Sequence, residues 1–266
     1  MINTETLVVK FGGHAMSDKD GVFAEKLSQA ITGGLNVVVV HGGGPQINAA
    51  LDAAGIASNF VGGFRYTTPE IFEIVERVLS HEVGPVIEGT LTKSGVLALS
   101  ISGRHSGTIF ARKQTSLVNG ENADLGLVGE VQKIDTEAIT VLLAKGVTPV
   151  ISPIANDLDS DGGLNVNADI AAAAVAGSLM ARELIIMTDV PGIYRNWPNK
   201  DSLISEITVA ELEEIKGTFA GGMAPKVQAC LDAIAAGAIA VRIIDGTDPE
   251  AFANALAHQG GTLVIK

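Results

Sequence analysis

Val37-Val38-Val39-Val40-His41-Gly42-Gly43-Gly44-Pro45 is the stretch that decides the fold. Four consecutive valines predict a strand buried on both faces, as in a parallel sheet. The glycines end this strand, and Pro45 suits the first position of a helix, expected over residues 46–54. A buried strand that passes through glycines into a helix is typical of α/β proteins, whose ligands bind beyond the carboxyl ends of the strands.

The same alternation continues along the chain. Residues 7–11 form a second apolar run that ends at Gly12-Gly13, and further strands are predicted at 96–101, 147–151, 183–187 and 240–244. Helical spacing is predicted over 18–31, 69–81, 83–93, 135–145, 168–181, 209–215 and 223–236. Residues 108–113 and 127–133 predict a hairpin, and 155–163 a polar loop. Apolar strands that alternate with helices indicate a mainly parallel sheet covered on both faces.

Composition limits the classes of function. The chain has 266 residues, 47% of them hydrophobic, which is enough for one large α/β domain or two coupled lobes. Its net charge is 18 − 30 = −12, and no Lys/Arg cluster appears, which argues against a nucleic-acid or membrane partner. One cysteine excludes an intrachain disulfide, and the amino-terminal residues do not resemble a signal peptide. We therefore expect a cytoplasmic protein.

Two glycine clusters are candidate anion sites. Gly12-Gly13 and Gly42-Gly43-Gly44 each follow a predicted strand, and glycine lets backbone amides approach a phosphate or carboxylate closely. The second cluster also leads into a helix amino terminus, which favours an anion. The alternative is that both are only tight turns. The sequence contains no GxxxxGK[ST] or GxGxxG pattern and no HRD or DFG loop, so a nucleotide would be bound in another way.

Two lysines and one aspartate stand in unusual places. Lys10 lies within an apolar strand, which is costly unless the lysine meets an anion or reaches solvent. Lys226 is in the first turn of a helix, where a cation opposes the helix dipole. Asp169 also begins a helix, and it either stabilises that helix alone or hydrogen-bonds both lysines and fixes their directions.

Further polar residues could bind an acidic substrate. Asn165 and Asn167 would project the same way if the segment between them is extended. Arg65 follows Gly62-Gly63-Phe64, and a guanidinium can hold a carboxylate with two hydrogen bonds.

In combination, the segments resemble the amino acid kinase family. The matching segments are Lys10-Phe11-Gly12-Gly13, His41 to Gln46, Gly62-Gly63-Phe64-Arg65, Asn165 to Asp169, Thr188 to Ile193 and Gly221 to Lys226. They occur in the family's order and cover nearly the whole chain. The resemblance implies a three-layer α/β/α sandwich around one mainly parallel open sheet. It also implies an N-terminal lobe, residues 1–168, for acyl-acceptor binding and dimerisation, and a C-terminal lobe, residues 169–266, for ATP.

The resemblance also implies roles for single residues. Lys10 and Lys226 would contact the transferring phosphoryl group from its two sides, and Asp169 would orient both lysines. Arg65 would hold the substrate α-carboxylate, Asn165 would bind the acetylated substrate, and Gly43 and Gly44 would offer amides to the acceptor carboxylate or phosphoryl oxygens. The residues expected near the nucleotide are Gly12, Gly13, Thr188, Asp189, Gly192, Ile193, Tyr194, Gly222 and Met223.

The implied reaction is ATP-dependent phosphorylation of the side-chain carboxylate of N-acetyl-L-glutamate, in arginine biosynthesis. Mg²⁺ would be bound through the ATP phosphates, with no metal ligand from the protein. One alternative acceptor is 2-aminoadipate or glutamate, linked to a carrier protein or N-acetylated. An alternative of another class is a non-catalytic regulatory protein that responds to nucleotides.

The sequence departs from the family pattern at two places. His14 stands where many relatives have Asn, and Gly103-Arg104-His105-Ser106 stands where relatives often carry acidic residues. Arginine-inhibited relatives usually have an additional N-terminal helix that joins dimers into a hexamer. The short segment before the first predicted strand here leads us to expect a homodimer, with arginine inhibition an open question.

Overall fold

The computed structural model describes residues 5–12, 21–219 and 221–266. Over these residues the strands are β1 (Thr6–Phe11), β2 (Asn36–His41), β3 (Phe60–Val61), β4 (Phe64–Arg65), β5 (Ala98–Ser102), β6 (Ile109–Lys113), β7 (Gly129–Ile134), β8 (Thr148–Ser152), β9 (Ile154–Asp157), β10 (Gly163–Asn165), β11 (Glu183–Thr188), β12 (Glu206–Thr208), β13 (Ala240–Asp245) and β14 (Thr262–Ile265). The helices are α1 (Val22–Thr32), α2 (Gly44–Ala53), α3 (Pro69–Arg77), α4 (Gly84–Lys93), α5 (Glu137–Ala144), α6 (Ala168–Ser178), α7 (Val209–Ile215), α8 (Met223–Ala235) and α9 (Ala251–Leu256).

Eight of these strands form one central sheet, in the order β12-β14-β13-β11-β1-β2-β8-β5. All neighbouring pairs are parallel except β13 and β14. β1 lies near the middle, with Lys10 in register with Ile186 on one side and Val40 on the other. The predicted mainly parallel open sheet is confirmed.

Alternate side chains of each central strand enter two separate cores. In β1, Val8 packs into the core formed with α5 to α8, whereas Val9 and Phe11 pack into the core formed with α1 to α4 and α9. Because a strand presents successive residues to opposite faces, a strand buried on both faces requires an apolar residue at nearly every position. The runs of valine meet that requirement, and the three layers of the predicted sandwich follow from it.

A second, smaller sheet lies beside the central one, in the order β10-β9-β6-β7. The antiparallel pairing of β6 with β7 confirms the predicted hairpin. The polar loop predicted over residues 155–163 is confined to 158–162, because residues 155–157 belong to β9 and Gly163 begins β10, and these two strands pair antiparallel. The strands have only four and three residues, so neither is long enough to show an alternating pattern.

Two other features differ from the sequence-based expectations. α3 and α4 are joined by a π-helical turn, Val78–Val83, where the sequence predicts two separate helices. The sequence does not predict the β3–β4 hairpin, β12, α9 or β14. The predicted start of the first helix at residue 18 lies outside the described residues. In the described ranges, no helix combines the length and apolar character needed to cross a membrane.

Candidate active site

The carboxyl end of β1 meets the amino termini of two helices. Lys10 Nζ lies 3.0 Å from Asp169 Oδ1, and Lys226 Nζ lies 2.8 Å from Asp169 Oδ2. Asp169 is in the first turn of α6, and Lys226 is in the first turn of α8. We refer to these three residues as the lysine–aspartate triad. Residues separated by more than 200 positions therefore converge on one carboxylate.

The carboxyl group of Asp169 is buried and nevertheless ionised. Burial on its own would raise the pKa of this carboxyl, but the charges and hydrogen bonds of Lys10 and Lys226 outweigh burial and lower the pKa to about 2. Asn167, the N-cap of α6, accepts hydrogen bonds from the amides of Asp169 and Ile170 and so fixes the helix start. The two ammonium groups therefore have defined positions in a low-dielectric setting.

Gly12 allows the end of β1 to approach both Lys10 and β2. A Cβ atom on Gly12 would lie 3.0 Å from Lys10 Nζ and 3.4 Å from the amide nitrogen of Gly42. The Gly42 amide donates a hydrogen bond to the carbonyl oxygen of Phe11, at 2.8 Å. The triad and the second glycine cluster are thus neighbours. The predicted contacts of Gly13 lie outside the described residues, as does the departure at His14.

One cavity contains all four residues predicted to bind the acceptor. Gly43, Gly44, Arg65 and Asn165 line it together, as does Asn167, so both asparagines of the predicted extended segment face the same space. We call this space the glycine-loop cavity; its other lining residues are Gly42, Ile47, Phe60, Gly63, Phe64, Leu79, Val128, Pro153, Val166 and Ala168.

The backbone amides of this cavity are available to a ligand. Among the described residues, the amides of Gly43 and Gly44 donate to no acceptor, whereas the Gly43 carbonyl accepts from Ile47 as the first hydrogen bond of α2. Free amides at a helix start, together with the dipole of α2, favour a negatively charged group.

Arg65 is the cation of the glycine-loop cavity. It is buried, and its guanidinium donates to Ser58 Oγ and to Asn48 Oδ1, the latter at 2.7 Å, while lying 4.7 Å from the ring centre of Phe60. Burial lowers the pKa of Arg65. Within the part of the chain that the structure describes, no carboxylate pairs with it. A buried guanidinium held by neutral partners is suited to an anionic ligand.

Sequence reasoning missed Asn48 and Ser58, because neither belongs to a recognisable motif. Asn48 comes from α2 and Ser58 from the segment before β3. They matter only because the fold brings the Arg65 guanidinium next to both side chains, and no local sequence pattern predicts that contact. Asn165 is held in the same way, since its Nδ2 donates to Thr67 Oγ1 at 3.1 Å.

A second cavity lies in the C-terminal part of the chain. We call it the Trp197 cavity; it is lined by Val190, Tyr194, Arg195, Asn196, Trp197, Thr218, Phe219 and Met223. The side chain of Trp197 is 67% exposed, and its ring packs edge-on against Tyr194 with centroids 5.3 Å apart. Exposed aromatic rings around a cavity are suited to stacking on a planar ligand.

Only some of the residues predicted near the nucleotide line the Trp197 cavity. Tyr194 and Met223 do. Ile193 is fully buried, and its amide donates to Thr262 Oγ1 at 2.8 Å, so its side chain belongs to the core. The other described residues of this prediction do not line the Trp197 cavity. They are Gly12, Thr188 at the end of β11, Asp189 after it, Gly192, which packs against Thr262, and the exposed Gly222 before α8. Sequence reasoning did not single out Trp197 or Phe219.

The β3–β4 hairpin lines the glycine-loop cavity and also contacts the start of α8. Gly63 has a φ of 90°, and a Cβ atom there would lie 3.1 Å from Pro225 Cγ. Pro225 precedes Lys226, so the wall of the glycine-loop cavity touches the segment that presents the second lysine of the triad.

A model of one known family matches residues 5–245, which is most of the chain, and its description is "Amino acid kinase family". The chain belongs to the amino acid kinase family. Two relatives, each named acetylglutamate kinase, are 46% identical to it. The Kineococcus radiotolerans protein aligns over 90% of this chain and 83% of its own length, and the Streptomyces avermitilis protein over 92% and 81%.

Solved structures agree with this family membership. The crystal structure of smu.665 from Streptococcus mutans superimposes with a TM-score of 0.82 at 27% identity, covering 98% of this chain and 99% of the other. The amino acid kinase fold predicted from the ordered motifs is therefore confirmed.

The departure at residues 103–106 lies away from the glycine-loop cavity. Arg104 pairs with Glu76 at 3.0 Å and donates to the Asp161 carbonyl at 3.0 Å. None of the residues that line the glycine-loop cavity comes from this segment. The added positive charge is balanced locally by a carboxylate of α3.

Proposed function

We propose that this chain is an acetylglutamate kinase, which transfers the terminal phosphoryl group of ATP to the side-chain carboxylate of N-acetyl-L-glutamate in arginine biosynthesis. The observation that carries the proposal is the convergence of Lys10 and Lys226 on Asp169 beside the amide-lined glycine-loop cavity. The relatives with the same name align over most of the chain, which supports the same acceptor.

The glycine-loop cavity suits a small acidic acceptor. Arg65 would hold the α-carboxylate, and Asn165 would bind the acetylated amino group. The free amides of Gly43 and Gly44 would meet the side-chain carboxylate or the phosphoryl oxygens. The cavity thus supplies a cation for one carboxylate and uncharged donors for the other. The second carboxylate would remain nucleophilic, because Arg65 is the one lysine or arginine among the described residues that line the cavity.

The transfer step needs no general base. A carboxylate oxygen of the acceptor forms a bond to the γ-phosphorus, the bond between that phosphorus and the bridging oxygen breaks, and ADP leaves with the electron pair. The products are an acyl phosphate and ADP. The barrier comes from bringing two anions together and from the charge that develops on the phosphoryl and leaving oxygens.

The lysine–aspartate triad is suited to lowering that barrier. Lys10 would contact the transferring phosphoryl group, and Lys226 would stabilise the oxygen of the leaving side. Asp169 balances part of their charge and fixes both directions, so little reorganisation is needed when the phosphoryl group moves. Mg²⁺ would be bound through the ATP phosphates, where it neutralises phosphate charge.

The positions of the two cavities support the proposal that each lobe binds a different substrate. We place acceptor binding in residues 1–168, which contribute every residue of the glycine-loop cavity. We place ATP in residues 169–266, where the aromatic rings of the Trp197 cavity would contact the base. Cytoplasmic ATP is the matching phosphoryl donor, so we place the reaction in the cytoplasm.

We further propose that the protein forms a homodimer through the N-terminal lobe. β5 is an edge strand of the central sheet, and Leu97 and Leu99 beside and within it are 60% and 41% exposed. An edge strand with exposed leucines is open to pairing with another chain. Light scattering after size exclusion should give twice the chain mass; a monomer at micromolar concentration would contradict the dimer.

The reaction itself is tested by a coupled assay of ADP release. N-acetyl-L-glutamate should give fast turnover, whereas N-acetyl-2-aminoadipate, free glutamate and UMP should give little. Hydroxylamine should trap the acyl phosphate as a hydroxamate in amounts that match the ADP. ADP release without hydroxamate, or equal rates with all four acceptors, would contradict the proposal.

A further inference from the structure

His41 is the last residue of β2, and its imidazole is completely buried. Its Nδ1 lies 2.9 Å from the carbonyl oxygen of Gly42. A carbonyl oxygen can only accept a hydrogen bond, so Nδ1 carries the proton and donates it. Nε2 has no hydrogen-bond partner among the described residues. A proton there would be a buried donor without an acceptor, so the ring is the neutral Nδ1–H tautomer.

Burial keeps this tautomer neutral at ordinary pH. Removal from water lowers the pKa of His41 to about 4, although the hydrogen bond to Gly42 opposes the shift. The imidazole is therefore a permanent neutral donor to one particular carbonyl group. The proposed phosphoryl transfer assigns no role to it.

Hydrogen bonds hold both peptide units that meet at Gly42. The Gly42 amide donates to Phe11, and the Gly42 carbonyl accepts from His41. In a trans peptide the carbonyl and the next amide point in opposite directions. With its carbonyl turned to His41, the Gly42–Gly43 peptide directs the Gly43 amide away from the imidazole. That amide has no acceptor in the described part of the chain, and Gly43 lines the glycine-loop cavity.

Three consecutive glycines make such fixing necessary. Glycine has little backbone preference of its own, so residues 42–44 could adopt many orientations. A more restricted residue at position 43 would force the buried Leu79 side chain to shift, because a Cβ atom there would lie 2.5 Å from Leu79 Cδ2. Phe11 and Ile47 hold the Gly42 amide and the Gly43 carbonyl, and the hydrogen bond from His41 sets the direction of the peptide between them.

Gly42 lies beside the lysine of β1. The same Gly12 Cβ position is 3.0 Å from Lys10 Nζ and 3.4 Å from the Gly42 amide nitrogen. The residue whose carbonyl His41 holds is thus near a lysine of the triad, where charge would develop on the phosphoryl oxygens.

We propose that His41 is a positioning residue for phosphoryl transfer, which holds the Gly42 carbonyl and thereby aims the Gly43 amide at the oxygens that gain negative charge. His41 would touch neither substrate, because it is fully buried and does not line the glycine-loop cavity. This inference rests on the proposed function and adds to it a residue that acts through the glycine loop.

Three substitutions distinguish the effect of losing the hydrogen-bond donor from the effect of changing the size of the side chain. His41→Asn keeps a donor, because the asparagine amide nitrogen can occupy about the position of Nδ1. His41→Gln moves the amide to about the position of Nε2, and His41→Leu removes it. Ser100→Ala is the matched control, because a Cβ on Gly84 would contact both Ser100 Oγ and His41 Nε2, so this change alters the packing near the ring and leaves the Nδ1 donor intact.

We expect kcat to fall about tenfold or more in His41→Leu and His41→Gln, as for a misaligned donor to developing charge. His41→Asn and Ser100→Ala should stay within about threefold of the parent. The KM for N-acetyl-L-glutamate should change less than kcat. Affinity for the complex of ADP, aluminium fluoride and acceptor, which mimics the transition state, should follow kcat across the series.

Two results would overturn the role of His41. One is a parent-like kcat in His41→Leu. The other is a loss of activity that follows the thermal unfolding midpoint in all four variants, including His41→Asn, since a purely structural residue would give that pattern. If the unaltered protein forms no hydroxamate, the proposed function fails instead, so the two failures are distinguishable.

Discussion

A Cβ atom on Gly12 would stand 3.0 Å from the ammonium nitrogen of Lys10. Lysine is long and flexible, so an added methyl group would displace the ammonium group more easily than it would distort the strand. Gly12 therefore ends the strand and also leaves the space that the ammonium group of Lys10 occupies.

We accordingly expect Gly12→Ala to lower kcat by about tenfold or more while the thermal unfolding midpoint hardly changes, because small displacements of a charge stabiliser are costly in catalysis. The coupled ADP assay and a melting curve check this. Gly89→Ala is the control, since a Cβ there meets nothing within 4 Å. A large loss of stability with no specific loss of kcat would show that Gly12 has only a structural role.

Lys10 and Lys226 give the most direct test of the triad. Replacing either by Met should lower kcat by roughly 100-fold or more, as expected when a preorganised charge is removed from the transition state. Lys133→Met is the control, because Lys133 is an exposed lysine that pairs with Asp135. Steady-state kinetics with N-acetyl-L-glutamate and ATP give the answer, and parent-like turnover in both variants would remove the triad from the mechanism.

Much of the fold and part of the site follow from the sequence, since they depend on local patterns. The valine run of β2 predicts its burial on both faces, and Lys10 within an apolar strand predicts that it meets an anion. Asp169 fulfils that expectation at 3.0 Å. These inferences succeed because a buried charge is costly whichever distant residue balances it, so the cost can be argued before the partner is known.

The features that the sequence does not predict depend on long-range packing. β10 has three residues and is stabilised by pairing with β9, and the π-helical turn over residues 78–83 packs Leu79 against Gly43. The supports of Arg65 come from separate elements and carry no motif. The tautomer of His41 likewise cannot be assigned from the sequence, because it depends on which groups lie next to Nδ1 and Nε2 of the ring.

Arg65 should determine acceptor affinity more than turnover. Arg65→Lys keeps a charge but loses the planar pair of donors, so the KM for N-acetyl-L-glutamate should rise about tenfold or more. The KM for ATP should be nearly constant. Arg112→Lys is the control, because Arg112 is exposed, pairs with Asp159 and does not line the glycine-loop cavity. A change in the ATP KM alone would place Arg65 at the nucleotide instead.

Trp197 offers a spectroscopic test of the nucleotide site. It is the single tryptophan of the chain, and it lines the Trp197 cavity with 67% of its side chain exposed. If the base of ATP stacks there, ADP should quench and shift the emission, whereas N-acetyl-L-glutamate should hardly affect it. Trp197→Phe should preserve binding, measured by calorimetry, and abolish the signal. Emission that is insensitive to saturating ADP would place the base elsewhere.

His41 should also make stability depend on pH in a defined window. Its ordinary pKa of 6.5 falls to about 4 in the folded protein, so the unfolded chain binds the proton first as the pH decreases. Stability should therefore decline from about pH 6.5 down to about pH 4. Asp169 contributes little to this decline, because its own contribution is lost only below the ordinary carboxyl pKa of 3.8, as the pH falls towards its folded pKa of about 2.

The measurement is urea unfolding at pH 7 and pH 4.5 for the parent protein and His41→Asn. The parent should lose about 2 kcal/mol more than the variant between these pH values, from the difference in pKa between the folded and unfolded states. The other histidines contribute equally to both proteins and cancel in the comparison. Equal losses would show that folding does not lower the pKa of His41, and burial would then not be what keeps the imidazole neutral.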